Sequence, residues 1–253
     1  MNGLNGHNGG SNDGGDETPD NIVHLPTPAE RRRAEADRMA QARTAARTAN
    51  GPMINLPPLT KWAVGLMILI HLLTNFAIDD VQRYWVFEHF GFIAAAYTDA
   101  MPLPVWSLIA GPFTYVLLHG SWMHLFMNGA MLMAFGTGCE RWMGGRRLLL
   151  LFTLCSLAAL AVQLAFAPDS TNPVIGASGG ISGLFAAVLV MMQRQGYTGN
   201  GRFGIWPFIL LWIGISVLFG MMGAPDGSTI AWPAHIGGFL AGFVFLKPVL
   251  RLP

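Results

Sequence analysis

The sequence predicts an all-α membrane protein: a six-helix transmembrane bundle preceded by a disordered and helical cytoplasmic tail. Three observations lead there. The chain of 253 residues is 52% apolar and only 11% charged, against roughly 25% charged for an average soluble domain, so one soluble domain could not cover its own surface. Charge is crowded toward one end: fourteen of the acids and bases lie between Asp13 and Lys61, whereas residues 141–253 hold acids only at Asp169 and Asp226. Apolar segments long enough to cross about 30 Å of hydrocarbon then recur between short polar breaks, at approximately 62–80, 107–137, 148–167, 177–193, 204–222 and 234–250.

The tail is expected to occupy residues 1–58 and the membrane domain residues 59–253. Residues 1–20 are mostly Gly, Asn and Asp, with almost nothing to bury, and are expected to be disordered. The acids Asp13, Asp16, Glu17 and Asp20 argue against a targeting leader. In Thr27-Pro28-Ala29-Glu30, Thr27 can cap, Pro28 suits the first helical position and Glu30 completes a capping box. The helix starting there runs through Arg31, Arg32, Arg33, Arg38, Arg43 and Arg47 and stops near Asn50-Gly51, before Pro52. It reads as a solvated linker helix, with docking on anionic lipid headgroups as the alternative.

Trp62, Trp85, Trp106, Trp142, Tyr197, Trp206 and Trp232 fall near the breaks between segments, where interfacial aromatics belong. With the basic tail placed in the cytoplasm and sides alternating across six spans, Arg83 alone of the 15 Lys and Arg lands outside. Both termini are therefore expected in the cytoplasm, and a bacterial inner membrane is the expected location. A net charge of +1 argues against nucleic acid as a partner, which requires a basic face. Cys139 and Cys155 supply neither a disulfide framework nor a metal-ligand spacing, and neither a metal nor another cofactor is expected.

Polar groups inside spanning segments are costly and are functional suspects. Three places qualify. The second segment contains His119-Gly-Ser-Trp-Met-His124 and Asn128, the fourth opens Gly176-Ala-Ser178-Gly-Gly-Ile-Ser-Gly183, and the sixth opens Ala234-His235-Ile-Gly-Gly238. His124 and Asn128, four apart, share one helical face. Counting from the basic residues Arg194, Lys247 and Arg141 places Ser178 about 24 Å, His235 about 18 Å and Asn128 about 20 Å above them, at similar depth. Gly179 and Gly183, and separately Gly238 and Gly242, form small-xxx-small stripes. His235 lies on the second stripe, so packing of the fourth helix on the sixth brings it toward Ser178. The fourth segment is short, so its start is expected below the membrane surface, beside a hydrated cavity.

These parts suit nucleophilic chemistry. A serine needs a base, and histidine is the usual one. An oxyanion needs donors, which the Ser178 N–H, the Asn128 amide and the His124 ring can supply. No carboxylate falls at that depth in the spans, so a Ser178-His235 dyad is expected. Each group has a plainer reading: Ser178 as a small packing residue, Asn128 as an interhelical hydrogen bond, and His235, His119 and His71 as satisfied core histidines. Their joint order and depth favour the chemical reading.

At His119, His124-x-x-x-Asn128, Gly176-Ala177-Ser178-Gly179 and His235-x-x-Gly238-x-x-x-Gly242 the sequence resembles the rhomboid family of intramembrane serine proteases. Glu140-Arg141 is similar to the acidic-basic pair that follows the family's second helix. The resemblance covers about residues 58–250. It implies a six-helix core, Ser178 as nucleophile, His235 as base, and His124, Asn128 and the Ser178 backbone as the oxyanion hole. The implied substrate is a single-span transmembrane protein cut near the outer face, with the lipid bilayer as the other partner. Two positions depart from the pattern: Ser182 stands where some members have an aromatic that stacks on the base, and Trp106-Ser107 stands where many have Trp-Arg. A catalytically inactive rhomboid-like factor that binds or retains membrane proteins is the alternative, but would be expected to have lost Ser178 or His235. A transporter would be expected to show an inverted repeat.

Overall fold

The computed structural model describes residues 27–49, 55–197, 203–222 and 231–252. The expected disorder of residues 1–20 and the helix stop at Asn50-Gly51 lie outside the described residues. The chain divides into two units, Met1–Asn55 and Leu56–Pro253.

In the first unit, α1 spans Pro28–Ala49 and begins with the expected capping box. The Thr27 N–H donates to Glu30 Oε2 at 2.7 Å, the Thr27 hydroxyl to the same oxygen at 3.0 Å, and the Glu30 N–H to Thr27 Oγ1 at 3.3 Å. Two otherwise unpaired donors at the helix start are thereby satisfied reciprocally.

The second unit is all-α among the described residues, with one isolated backbone bridge. Helix α2 spans Pro58–Phe76, α3 Asp80–Phe90 and α4 Val105–Thr114, the last running into a 3₁₀ turn, Tyr115–Leu117. Helix α5, Trp122–Met131, passes through a π turn, Leu132–Gly136, into α6, Thr137–Met143. Helices α7 (Gly145–Phe166), α8 (Ser178–Arg194), α9 (Trp206–Met222) and α10 (Trp232–Leu250) complete the bundle. By length and composition α2, α7 and α10 can each cross a membrane, while α9 is a shorter apolar helix.

The second expected segment, 107–137, is not one span. Val105–Leu117 is a short helical piece of its own, and the chain leaves helical geometry at Leu118, φ −90° and ψ 139°. Ser121 then caps α5 by accepting from the His124 N–H at 3.2 Å. The rod that follows runs from Trp122 to Met143. Hydropathy is as high in α4 as in α5, so a search for apolar length merges them; the break is set by local turn and cap chemistry.

Residue Pro57 lacks a side chain able to cap α2, and the cap comes from far along the chain. The Glu140 carboxylate accepts from Leu59 N–H at 2.9 Å, Thr60 N–H at 2.8 Å and the Thr60 hydroxyl at 2.7 Å. An anion at a helix start also meets the positive end of its dipole. The core of the bundle is α7, α8 and α10 packed on one another.

Glycine makes their close approach possible. A Cβ on Gly238 would sit 2.7 Å from the Gly179 carbonyl carbon, and one on Gly242 would sit 2.9 Å from Gly183 Cα. The expected stripes therefore face each other across the α8–α10 crossing. A Cβ on Gly183 would reach both neighbours at once, Cys155 Cβ on α7 at 2.5 Å and Gly238 O on α10 at 2.9 Å.

The chain entering α8 is held from outside the core. Phe92 and Val174 exchange backbone bonds of 3.0 and 2.7 Å, and the Ala95 N–H donates to Ser170 O at 3.0 Å. Nearer Ser178, the Gly176 N–H donates to Tyr115 O at 2.8 Å. Tyr115 is itself fully buried, with its hydroxyl donating to Ser156 O on α7 at 2.9 Å.

Candidate active site

Ser178 is the first residue of α8, where a helix leaves its N–H groups without intrahelical acceptors. His235 is the fourth residue of α10. They are separated by 57 positions in sequence, yet His235 Nε2 lies 2.8 Å from Ser178 Oγ, within hydrogen-bond range. For His235 to act as base the hydroxyl must donate and Nε2 accept, which requires the neutral ring's proton to sit on Nδ1. The contact follows directly from the glycine crossing: Gly238 is one helical turn beyond His235 and Gly179 is next to Ser178.

His124 and Asn128 approach the same point from α5. Gly176 has φ +110°, and a Cβ there would meet His124 Nε2 at 2.5 Å and lie 3.8 Å from Asn128 Nδ2. Only glycine fits that position, for both reasons. Asn128 is buried and donates one amide hydrogen to His124 O at 3.0 Å, leaving a second amide hydrogen for another acceptor. All four sequence-predicted residues line one cavity of about 730 Å³.

Ser182 does not replace the missing aromatic. It is fully buried, and its hydroxyl turns back along α8 to donate to Ser178 O at 2.7 Å. The histidine is placed instead by the seating of α10: Gly238 meets the Gly179 backbone, and a Cβ on Gly237 would be 2.7 Å from Val162 Cβ on α7. Among the described residues, three carboxylates are engaged away from the pair: Asp80 with Arg83 at 2.8 Å, Glu88 beside His89 at 3.7 Å and Glu140 on the start of α2. Ser107, the other departure, is buried and donates to His89 O at 2.6 Å, tying α4 to the end of α3.

Sequence reasoning singled out neither Tyr115 nor Gln163 on the cavity wall. Tyr115 was concealed inside the merged second segment. Gln163, a buried amide on α7 that also lines the cavity, carried a usable signal, since it is a polar side chain in an apolar span.

The Rhomboid domain profile matches residues 105–252, more than half of the chain. The chain belongs to the rhomboid family. This rhomboid is 31% identical over 147 residues to RHOMBOID-like protein 5 of Arabidopsis thaliana, covering 58% of the chain and 44% of that protein. It is 29% identical over 140 residues to the rhomboid protease GluP of Bacillus subtilis, covering 55% and 26%. A third match, 29% over 147 residues, is to Rhomboid-related protein 3 of Homo sapiens, covering 54% and 36%. The matches span less than half the length of each relative. Family membership and the apolar helices together make this rhomboid an integral membrane protein of a protease family.

Proposed function

We propose that this rhomboid is an intramembrane serine endopeptidase that cleaves single-span transmembrane proteins near the outer face of the membrane. The observation that carries the proposal is the 2.8 Å contact between His235 Nε2 and Ser178 Oγ on the wall of the cavity. In the reaction, His235 Nε2 takes the hydroxyl proton as Ser178 Oγ attacks the scissile carbonyl carbon. The resulting oxyanion is met by the Ser178 N–H, the free amide hydrogen of Asn128 and the His124 ring. Collapse of the intermediate breaks the C–N bond, and His235 returns the proton to the leaving amine. Water, deprotonated by the same ring, then releases the acyl group and regenerates Ser178.

A peptide bond inside a helix is shielded, so the substrate must unwind locally to reach a serine recessed at the start of α8. Weak helix formers around the cleaved bond favour that step, and the resemblance to the family implies a small side chain before the bond. We propose that both termini are cytoplasmic, a reading supported by the distribution of Lys and Arg.

A fluorophosphonate probe tests the chemistry. Wild type should be labelled, Ser178→Ala should not, and His235→Ala should label only at background rate. An unlabelled wild type that melts cooperatively would refute the assignment.

A further inference from the structure

His71 lies on α2, outside the cavity, and the chemistry above makes no use of it. It is fully buried, and burying an imidazole is costly unless its polar atoms are engaged. His71 Nδ1 lies 3.1 Å from the backbone oxygen of His119. A carbonyl only accepts, so Nδ1 carries the hydrogen and donates. The same ring stands edge-on against Trp122, with centroids 4.5 Å apart and planes at 86°. One side chain thus grips both ends of the short turn 119–122.

That turn launches α5. Ser121 within it caps the helix through the His124 N–H, and Asn128 is tied to His124 through the latter's carbonyl. The His119 ring packs against the His124 ring at 5.0 Å between centroids. A second polar attachment of α2, Glu140 of the α5–α6 rod on Leu59 and Thr60, lies beyond the π turn Leu132–Gly136. A π turn interrupts the regular helical ladder, so that distant anchor leaves the orientation of the His124 end to local contacts.

We propose that His71 is a positioning residue for the reaction: through His119 O it sets the turn from which α5 presents His124 and Asn128 to the Ser178 centre. The proposal rests on the protease reading of the site. The test compares His71→Phe, which keeps the ring against Trp122 but has no N–H, with His71→Asn, whose amide N–H sits where Nδ1 does. Each is assayed for kcat and KM on a transmembrane substrate in liposomes, for the rate of fluorophosphonate labelling of Ser178, and for thermal unfolding.

For His71→Phe, kcat should fall about tenfold, a part of the 10² to 10³ that outright loss of an oxyanion donor costs, with KM within about twofold. His71→Asn should recover most of that loss. In a His124→Ala, Asn128→Ala background, His71→Phe should cost almost nothing further, because the groups it positions are gone. A wild-type kcat for His71→Phe, no recovery by Asn, or the same tenfold loss in the double background would each overturn the role of His71. Should His71→Phe not fold, His71→Gln, which carries its N–H one methylene too far, takes its place under the same criteria. Labelling of wild-type Ser178 separates the two levels: its absence defeats the protease reading, whereas its presence with an unaffected His71→Phe defeats only the positioning role.

Discussion

Replacing Gly238 by Ala adds one methyl group at the α8–α10 crossing. The built Cβ falls 2.7 Å from the Gly179 carbonyl carbon and 3.2 Å from its Cα, where ordinary contact begins at 3.4 Å, and the carbonyl oxygen is closer still. Both sides of the contact are backbone, so no side chain can swing away. The helices must part by about 1 Å. His235 is three residues before Gly238 on the same face, and an equal retreat lengthens its 2.8 Å contact with Ser178 Oγ beyond hydrogen-bond range. A misplacement of about 1 Å costs about 10²-fold in rate, and overpacking costs about 1–3 kcal/mol. At about 2–4 °C per kcal/mol for a domain of this size, the variant should melt about 2–12 °C lower. Gly65→Ala on α2 is the control, because a Cβ there meets nothing within 4 Å. Cleavage of a transmembrane substrate in liposomes and thermal unfolding in detergent should show both losses for Gly238→Ala and neither for Gly65→Ala. Wild-type turnover and melting for Gly238→Ala would refute the coupling of helix crossing to catalytic contact.

Removing Glu140 should destabilise the bundle without touching the cavity. Glu140→Ala leaves the Leu59 and Thr60 N–H groups and the Thr60 hydroxyl without their acceptor, at about 1–3 kcal/mol for each group left buried and unpaired, which a thermal melt will register. Asn128→Ala should give a graded loss of turnover, up to about 10² to 10³, smaller where His124 shares the task; an unchanged rate for His124→Ala with Asn128→Ala would exclude both as donors. Replacing Asp79, Asp80, Asp99, Asp169 and Asp226 by Asn and Glu88 by Gln, singly, should leave most activity, whereas a loss near the 10⁴ of a broken triad in a stably folded variant would reveal a third member beside Ser178 and His235. A reporter active only outside the membrane, fused after Pro253, should be silent if the C-terminus is cytoplasmic.

Much of the candidate centre was legible because its sequence marks arise from strong local physics. A histidine or an asparagine in an apolar span is costly enough to stand out, and helical spacing assigns it to a face. Glycines four residues apart declare that something must pass close by. The capping box at Thr27 and Glu30 is likewise complete within four residues. From such marks the all-α class, the tail helix, the four residues gathered around the cavity and the facing of Gly179 and Gly183 on Gly238 and Gly242 could all be read in order along the chain.

What the sequence by itself determined was therefore composition, period and spacing: which segments are apolar, which faces are small, and which polar groups share a depth. Only the tertiary structure decided the partners. Where one apolar helix ends and the next begins, at Leu118 to Ser121, depends on a turn of four residues, Leu-His-Gly-Ser, too short a polar dip to divide the apolar run around it. The acceptor for the start of α2 comes from Glu140, some 80 positions away, and the loop before Ser178 is gripped by Phe92 and Tyr115. Nothing near those residues announces such pairings, because a backbone N–H or C=O has the same chemistry at every position. The seating of His235 belongs to the same class, since the absence of an aromatic at Ser182 is readable in sequence. That the α8–α10 crossing holds the ring instead is a matter of distances that exist only once both helices are packed against α7.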